Sequence, residues 1–116
     1  MKLISIYDCL RDTTRLRLLY LLQIAGPLCV CHLQGALNES QVKVSKHLGY
    51  LRRHGLVQTR REGQWIHYRL TSRPSTALAR NLACLRDCAA DEPVFARDLA
   101  RLRKSQASPA NCRKAG

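Results

Sequence analysis

Apolar residues recur at helical spacing along most of the chain. The first apolar stripe consists of Leu3, Tyr7 and Leu10, and it predicts a short helix. Asp12 and Thr13 then offer an N-cap for a second helix. Its body, residues 16–22, is apolar nearly all round, which is typical of a buried central helix, and Gly26-Pro27 ends it.

A helix–turn–helix pattern follows. A short third helix is predicted over residues 30–37, and Asn38-Glu39 makes a tight turn after it. Ser40 is a good N-cap for a fourth helix, which ends at Gly55. The inner face of this fourth helix is formed by Val44, Leu48 and Leu51.

The apolar period then changes from that of a helix to that of a strand. Residues 57–60 predict one strand, Glu62-Gly63 a hairpin turn, and residues 65–70 a second strand. Helical spacing resumes after Pro74, with a break or kink at Pro93, and its apolar positions are Leu78, Leu82, Leu85, Ala89, Phe95, Leu99 and Leu102. We therefore expect one folded domain over residues 1–104 and a loose basic tail over residues 105–116.

This order of elements predicts a winged helix-turn-helix, a mainly α fold with a two-stranded β-hairpin wing. The fourth helix is expected to enter the major groove of DNA, and the hairpin to touch the flanking backbone. The predicted DNA contacts are Gln41, Lys43, Ser45, Lys46 and His47 on the helix and Arg60 and Arg61 on the hairpin. The alternative is that the outer face of this helix is merely solvated.

Charge favours the DNA interpretation. The 116 residues carry a net charge of +12, and residues 41–69 hold seven Lys or Arg against one acid, Glu62. Aromatic residues make up only 5% of the chain, which argues against a stacking platform for single strands and favours double-stranded DNA. The sequence contains no signal peptide and no apolar run of transmembrane length, so we expect a soluble cytoplasmic protein without a membrane partner.

The chain has six cysteines, and Cys29 and Cys31 are the best placed for chemistry. They lie at the predicted start of the third helix, where the helix dipole favours thiolate, and thiolates select soft ions such as trivalent arsenic or antimony, or a thiophilic divalent metal. Residues i and i+2 point about 200° apart on an α-helix. Joint binding of one ion is therefore predicted to unwind the first helical turn and displace the fourth helix.

Five segments resemble the ArsR/SmtB family of metal- and metalloid-responsive bacterial repressors. They are DTTRLRLL (12–19), LCVCHL (28–33), SQVKVSKHL (40–48), LRRHGLV (51–57) and REGQWIHYRL (61–70). The Cys-Val-Cys segment is most similar to the arsenical-repressor branch. The resemblance implies a repressor that needs no cofactor to bind operator DNA and is released by arsenite or antimony. It also implies a homodimer joined through the first and last helices, with interface positions Leu3, Tyr7, Leu10, Leu78, Leu82 and Leu85.

The chain departs from the arsenical branch at Gln34, where that branch commonly has a third cysteine. A trivalent ion prefers three sulfurs, so either two suffice or another thiol joins. Cys112 in the tail is one candidate. Cys84 and Cys88, at i and i+4 on one helical face, are others and could bind an ion themselves near the dimer interface, although helix packing is the favoured explanation for them. Cys9 is expected only to pack.

Three further alternatives concern His32 and the class of protein. His32 can serve as a zinc ligand, but a solvent-exposed side chain is the simpler expectation. The fold is also compatible with a thiol-redox regulator in which Cys29 and Cys31 respond to oxidation. An enzyme is not expected, since the sequence has no Cys-x-x-Cys pair, no oxyanion cradle and only eight acidic residues.

Overall fold

The computed structural model describes residues 2–106, so the predicted ligand Cys112 lies outside the described part. The helices are α1 (Leu3–Leu10), α2 (Thr13–Ala25), α3 (Val30–Leu37), α4 (Gln41–Arg53), α5 (Thr76–Cys88) and α6 (Pro93–Gln106). The strands are β1 (Leu28–Cys29), β2 (Val57–Glu62) and β3 (Trp65–Leu70), and a 3₁₀ turn spans Ala89–Asp91. The predicted winged helix-turn-helix is confirmed.

Local capping sets the helix boundaries. The Asp12 side chain accepts a hydrogen bond from the backbone N–H of Arg15 at 3.0 Å, and Ser40 Oγ accepts one from Lys43 N–H at 3.2 Å. Gly26 ends α2 with φ of 77°, and Asn38 ends α3 in the left-handed region with φ of 55°. Asn38 is a local signal in the sequence, and it accounts for the agreement between the predicted and observed ends of α3.

The sheet differs from the prediction. It has three antiparallel strands in the order β1-β3-β2, whereas the sequence predicted a two-stranded hairpin. The additional strand β1 pairs Leu28 with Tyr68 and Cys29 with His67. A strand of two residues has no readable alternation, so only its pairing with β3 identifies it. The hairpin itself turns at Gly63-Gln64, one residue later than predicted, because Glu62 pairs with Trp65.

Helix α2 lies at the centre of the core, as its all-round apolar sequence predicts. Two of the predicted interface residues, Leu78 and Leu82, are buried within this chain, so their assignment to a surface between protomers is wrong. Helix α1 does expose large apolar side chains, namely Leu3, Ile4 and Tyr7.

Helix α6 is fastened to α2 and α3 by a buried ion network. The fully buried Asp98 accepts hydrogen bonds from Arg17 Nε at 2.7 Å and Arg17 Nη2 at 2.8 Å, and from Arg101 Nη2 at 3.0 Å. The two arginines also donate to the last carbonyls of α3, Arg101 to Ala36 at 2.7 Å and Arg17 to Leu37 at 2.9 Å. The C-terminal end of α3 is therefore held from two sides.

Helix α6 continues through Gln106, two residues beyond the predicted end of the folded domain. Among residues 2–106, no helix combines the length and the apolar character needed to cross a bilayer.

Candidate functional site

Cys29 and Cys31 lie side by side at the start of α3. Cys29 is the last residue of β1 and the N-cap of α3, with extended backbone angles, and only Cys31 belongs to the helix. Their Sγ atoms are 2.6 Å apart. The prediction that the two side chains diverge by about 200° is therefore wrong, because that angle applies only when both residues are helical. The pair can face one ion without unwinding α3.

His32 completes a cluster with these cysteines. Its Nδ1 is 3.5 Å from Cys29 Sγ, and one ligand atom from each of the three residues lies within 4.8 Å of the other two. The ring is half-buried rather than solvent-exposed as expected, and its Nε2 has no hydrogen-bond partner among the described residues. Burial, together with the nearby His67, lowers the pKa of His32 below its ordinary value.

A small cavity joins this cluster to the DNA-reading elements. It has a volume of about 110 Å³ and is lined by Cys29 and Val30, by Ser45 of α4, and by Gln64, Trp65, Ile66 and Tyr68 of the hairpin. Cys29 also forms part of the β1–β3 ladder opposite His67. A displacement of Cys29 would therefore alter the packing of both α4 and the hairpin wing.

The outer face of α4 carries most of the predicted DNA contacts. Gln41, Lys43, Ser45 and Lys46 are all exposed, while Val44, Leu48 and Leu51 are buried as predicted. Sequence reasoning missed Val42, whose side chain is 80% exposed in the middle of this polar surface. The helical period of α4 could have identified Val42 as exposed, because this residue falls outside the buried stripe of Val44, Leu48 and Leu51. An exposed aliphatic side chain here suits contact with a thymine methyl group.

His47 does not share this outer face. Its side chain is only 15% exposed, and its Nδ1 lies 3.8 Å from Asp12 Oδ1 and 3.4 Å from Arg15 Nη1. Burial lowers the pKa of His47, and this effect outweighs the opposing attraction of Asp12. The expectation that His47 projects from the recognition helix is wrong, because the side chain is turned toward the start of α2.

Arg15 is the second residue that links α4 to the start of α2. The buried guanidinium lies 4.3 Å from the ring centroid of Tyr50 and donates to the carbonyls of Asp8 and Cys9. Helix α4 is thus connected to the end of α1 and the start of α2 by a cation–π contact and hydrogen bonds.

The hairpin supplies the second basic surface. Arg60 and Arg61 are exposed on β2, as predicted. A groove of about 250 Å³ runs beside them and is lined by Pro27, Arg60, Glu62, His67 and Arg69. The only acid in this lining, Glu62, lies 3.7 Å from Arg60 Nε. The groove has room and positive charge for a backbone phosphate.

The remaining described cysteines lie away from the cluster. Cys9 is fully buried in the core, where burial raises the pKa of its thiol. Cys84 and Cys88 are exposed on α5 with their Sγ atoms 4.0 Å apart, so neither thiol packs inside this chain. The hydrogen bond between the two thiols raises the pKa of Cys88. The structure does not bring either of them to Cys29 and Cys31.

The family model for bacterial regulatory proteins of the arsR family matches residues 12–59. The arsenical resistance operon repressor of Escherichia coli K12 is 48% identical over 68 residues, which are 59% of this chain and 58% of that repressor. The chain thus matches little more than half the length of this curated relative.

Two solved structures share the fold over longer stretches. HlyU from Vibrio cholerae is 32% identical with a TM-score of 0.66, over 75% of this chain and 90% of that one. The homodimeric winged helix-turn-helix domain of Mb0332 from Mycobacterium bovis, described as a possible ArsR-family regulator, is 28% identical with a TM-score of 0.62, over 78% and 80% of the two chains.

Proposed function

Because the chain belongs to the ArsR family of bacterial regulatory proteins, we propose that it is a cytoplasmic transcriptional repressor that releases operator DNA when trivalent arsenic or antimony binds Cys29 and Cys31. The family consists of transcription regulators and not of enzymes. The observation that carries the proposal is the adjacency of the two sulfurs at the first residues of the helix-turn-helix.

The chemistry of the cysteine pair suits a trivalent metalloid. Arsenous acid, As(OH)₃, condenses with two thiols to give a dithiolate that keeps one hydroxyl group on arsenic and releases two water molecules. Soft sulfur is the donor that such an ion prefers. The position of Cys29 and Cys31 at the N-terminal end of α3 favours the thiolate form in which each sulfur attacks.

Release of DNA follows from how the two ends of α3 are held. Its C-terminal carbonyls are fixed by Arg17 and Arg101, so a rearrangement at Cys29 and Cys31 is absorbed at the N-terminal end. At that end the rearrangement displaces β1, which pairs with the wing. It also changes the shape of the cavity that is lined by Cys29 and by Ser45 of α4. This route replaces the unwinding of α3 that the sequence suggested.

The DNA-binding surface combines base reading and charge. In this proposal, Gln41, Val42 and Ser45 face base edges from α4, while Lys43, Lys46, Arg60 and Arg61 contact phosphates. The exposed apolar face of α1 is the surface through which two copies pair, so that two recognition helices reach half-sites about one helical turn apart. DNA binding itself uses no cofactor.

Release of DNA from cysteine variants tests this function. A labelled duplex obtained by in vitro selection with the protein is titrated, and arsenite is then added to the reduced complex while anisotropy is followed. Cys29→Ser and Cys31→Ser are each expected to bind the duplex as tightly as the unmodified chain but to stay bound in arsenite, because a serine hydroxyl is a hard, poor ligand. Cys84→Ser, a matched change at an exposed thiol, is expected to release normally. If Cys29→Ser still releases DNA, the proposal is wrong.

The same adjacency also favours a second candidate, a thiol-redox regulator. Two neighbouring thiols can pass two protons and two electrons to hydrogen peroxide, which becomes two water molecules, and leave a disulfide. Titrating the DNA complex separately with peroxide and with arsenite discriminates the two functions. Release by peroxide alone favours the redox regulator, and release by arsenite alone favours the metalloid repressor.

A further inference from the structure

We propose that α6 carries a second DNA-binding surface, a basic stripe formed by Arg97, Arg101 and Lys104, which contacts backbone phosphates beside the groove segment that α4 reads. The inference rests on the proposed function, since it extends the surface by which the chain binds operator DNA. It adds contacts outside the helix-turn-helix and the wing, from a helix for which the sequence predicted only apolar packing positions.

The exposed side of α6 is strongly basic. The helix has four basic residues and one acid. The acid, Asp98, is fully buried and paired with Arg17 and Arg101, so it offers no counter-charge at the surface. Arg97 and Lys104 are exposed and form no ion pair with any other residue in the described part of the chain. Their positive charge is therefore available to a polyanion.

The basic stripe lies next to the turn of the helix-turn-helix. Arg97 and Lys104 are four residues before and three residues after Arg101, so the three share one face of α6. Arg101 Nε donates a hydrogen bond to the carbonyl of Ala36 at 2.7 Å, in the last turn of α3. The turn that follows leads directly to Gln41, the first residue of α4. The stripe is therefore beside the end of α4 whose residues meet base edges.

The docking geometry of a helix-turn-helix brings the DNA backbone to this side of the protein. When the second helix of the motif lies in the major groove, the first helix crosses the sugar–phosphate backbone. In this chain the first helix is α3, and α6 packs directly against it. The phosphates that α3 crosses are thus within reach of long basic side chains on the adjoining face of α6. Such contacts position the protein without reading bases.

The basic stripe is rigidly attached to the motif that reads DNA. Arg17 pairs with Asp98 of α6 at 2.7 Å and also donates to the carbonyl of Leu37 at the end of α3. A helix held in this way presents its charges to phosphate without first ordering a segment of chain. The ordering entropy that a loose basic tail loses on binding is therefore avoided.

The salt dependence of DNA binding tests the inference. Anisotropy titrations of the selected duplex and of a random duplex use the full chain between about 50 and 200 mM salt. Arg97→Gln and Lys104→Gln are each expected to lower the log–log salt slope by about 0.9 for every phosphate contact removed. The affinity ratio between the two salt limits then shrinks about 3.5-fold per contact. The loss should be equal on both duplexes, because phosphates carry no sequence information.

Arg103→Gln is the matched control, because it removes the same charge from the same helix. Arg103 is exposed but lies about 200° around the helix from Arg101, so its substitution is expected to leave the slope unchanged. Arg97→Lys keeps the charge and should keep the slope. An unchanged slope in both Arg97→Gln and Lys104→Gln shows that the stripe is only solvated and overturns the inference. An equal fall in Arg103→Gln also overturns it, because net charge alone would then explain the effect.

Ethylation interference provides a second measurement, since it locates individual phosphates. We expect a group of phosphates whose ethylation weakens binding of the unmodified chain but not of the double variant Arg97→Gln/Lys104→Gln. Identical interference patterns for the two proteins contradict the inference. Failure of the proposed function is distinguishable, because it appears as arsenite release that persists in Cys29→Ser, whatever the salt slopes of the α6 variants.

Discussion

Replacing Asp98 by asparagine tests whether the buried ion network anchors α6 and the fixed end of α3. Asparagine keeps the size of the side chain, so no cavity forms, but the negative charge is removed. Arg17, whose side chain is 11% exposed, then keeps its charge next to a fully buried neutral amide. The carboxylate of Asp98 raises the pKa of Arg17 through their hydrogen bond, and this stabilisation of the guanidinium charge is what the variant loses.

The expected loss of stability in Asp98→Asn follows from the contacts of the Asp98 side chain. Removing one partner of a buried ion pair costs about 3–5 kcal/mol. The Arg101 contact adds little because that side chain is 40% exposed, and asparagine retains one oxygen that can still accept a bond from Arg17. We therefore expect the free energy of unfolding to fall by an amount at the low end of this range, about 3 kcal/mol. For a domain of this size the loss corresponds to a fall in Tm of about 10 °C.

Urea and thermal unfolding at one fixed protein concentration provide the measurement, because dimerisation makes apparent stability depend on concentration. Asp87→Asn is the control: Asp87 pairs with Arg86 at 3.2 Å on the surface, and its loss is expected to change stability by less than about 0.5 kcal/mol. A loss below about 1 kcal/mol for Asp98→Asn, or equal losses in both variants, would refute the anchoring role.

Three other predictions concern pH, DNA and thiol reactivity. Since burial lowers the pKa of His47 below 6.5, the unfolded chain binds the proton more tightly, so stability falls as the pH drops through 6.5 toward the folded value and is unaffected above it. His47→Gln should accordingly lose less stability between about pH 7.5 and 5.5 in urea titrations, and an unchanged pH dependence would contradict this. In binding titrations Gln41→Ala should cost about 1–3 kcal/mol on the selected duplex and little on random DNA. Arg60→Ala should weaken both alike and reduce the salt slope by about 0.9, whereas a uniform loss for Gln41→Ala would argue against base reading. Cys84, which is exposed, should react with an alkylating reagent well before Cys9, whose thiol is buried and has a raised pKa; mass spectrometry of timed samples shows the order, and early labelling of Cys9 would be inconsistent with the fold.

The order of helices and the outline of the DNA-reading surface could be predicted from the sequence because their signals are local. Asp12 and Ser40 are caps whose side chains bond three residues ahead, and Asn38 closes α3 through its own backbone conformation. The buried stripe of α4 repeats every three or four residues, which leaves Gln41 and Ser45 outside. Such features depend on neighbours within one or two helical turns.

Tertiary structure decided the features that depend on distant partners. Leu28 and Cys29 become a strand only because β3 lies beside them, and that pairing takes Cys29 out of the helix and turns its sulfur toward Cys31. The side chain of His47 lies against Asp12, which is 35 positions away in the sequence, and not on the DNA-facing surface of α4.

The ion network joins Arg17 to Asp98 across 81 positions. The sequence pattern around Arg17 or Asp98 does not predict this ion pair. A charged residue at a helical position gives the same pattern whether its side chain contacts solvent or an opposite charge. Periodicity specifies which face of an element turns inward, whereas the partner it meets there depends on how the elements pack against one another.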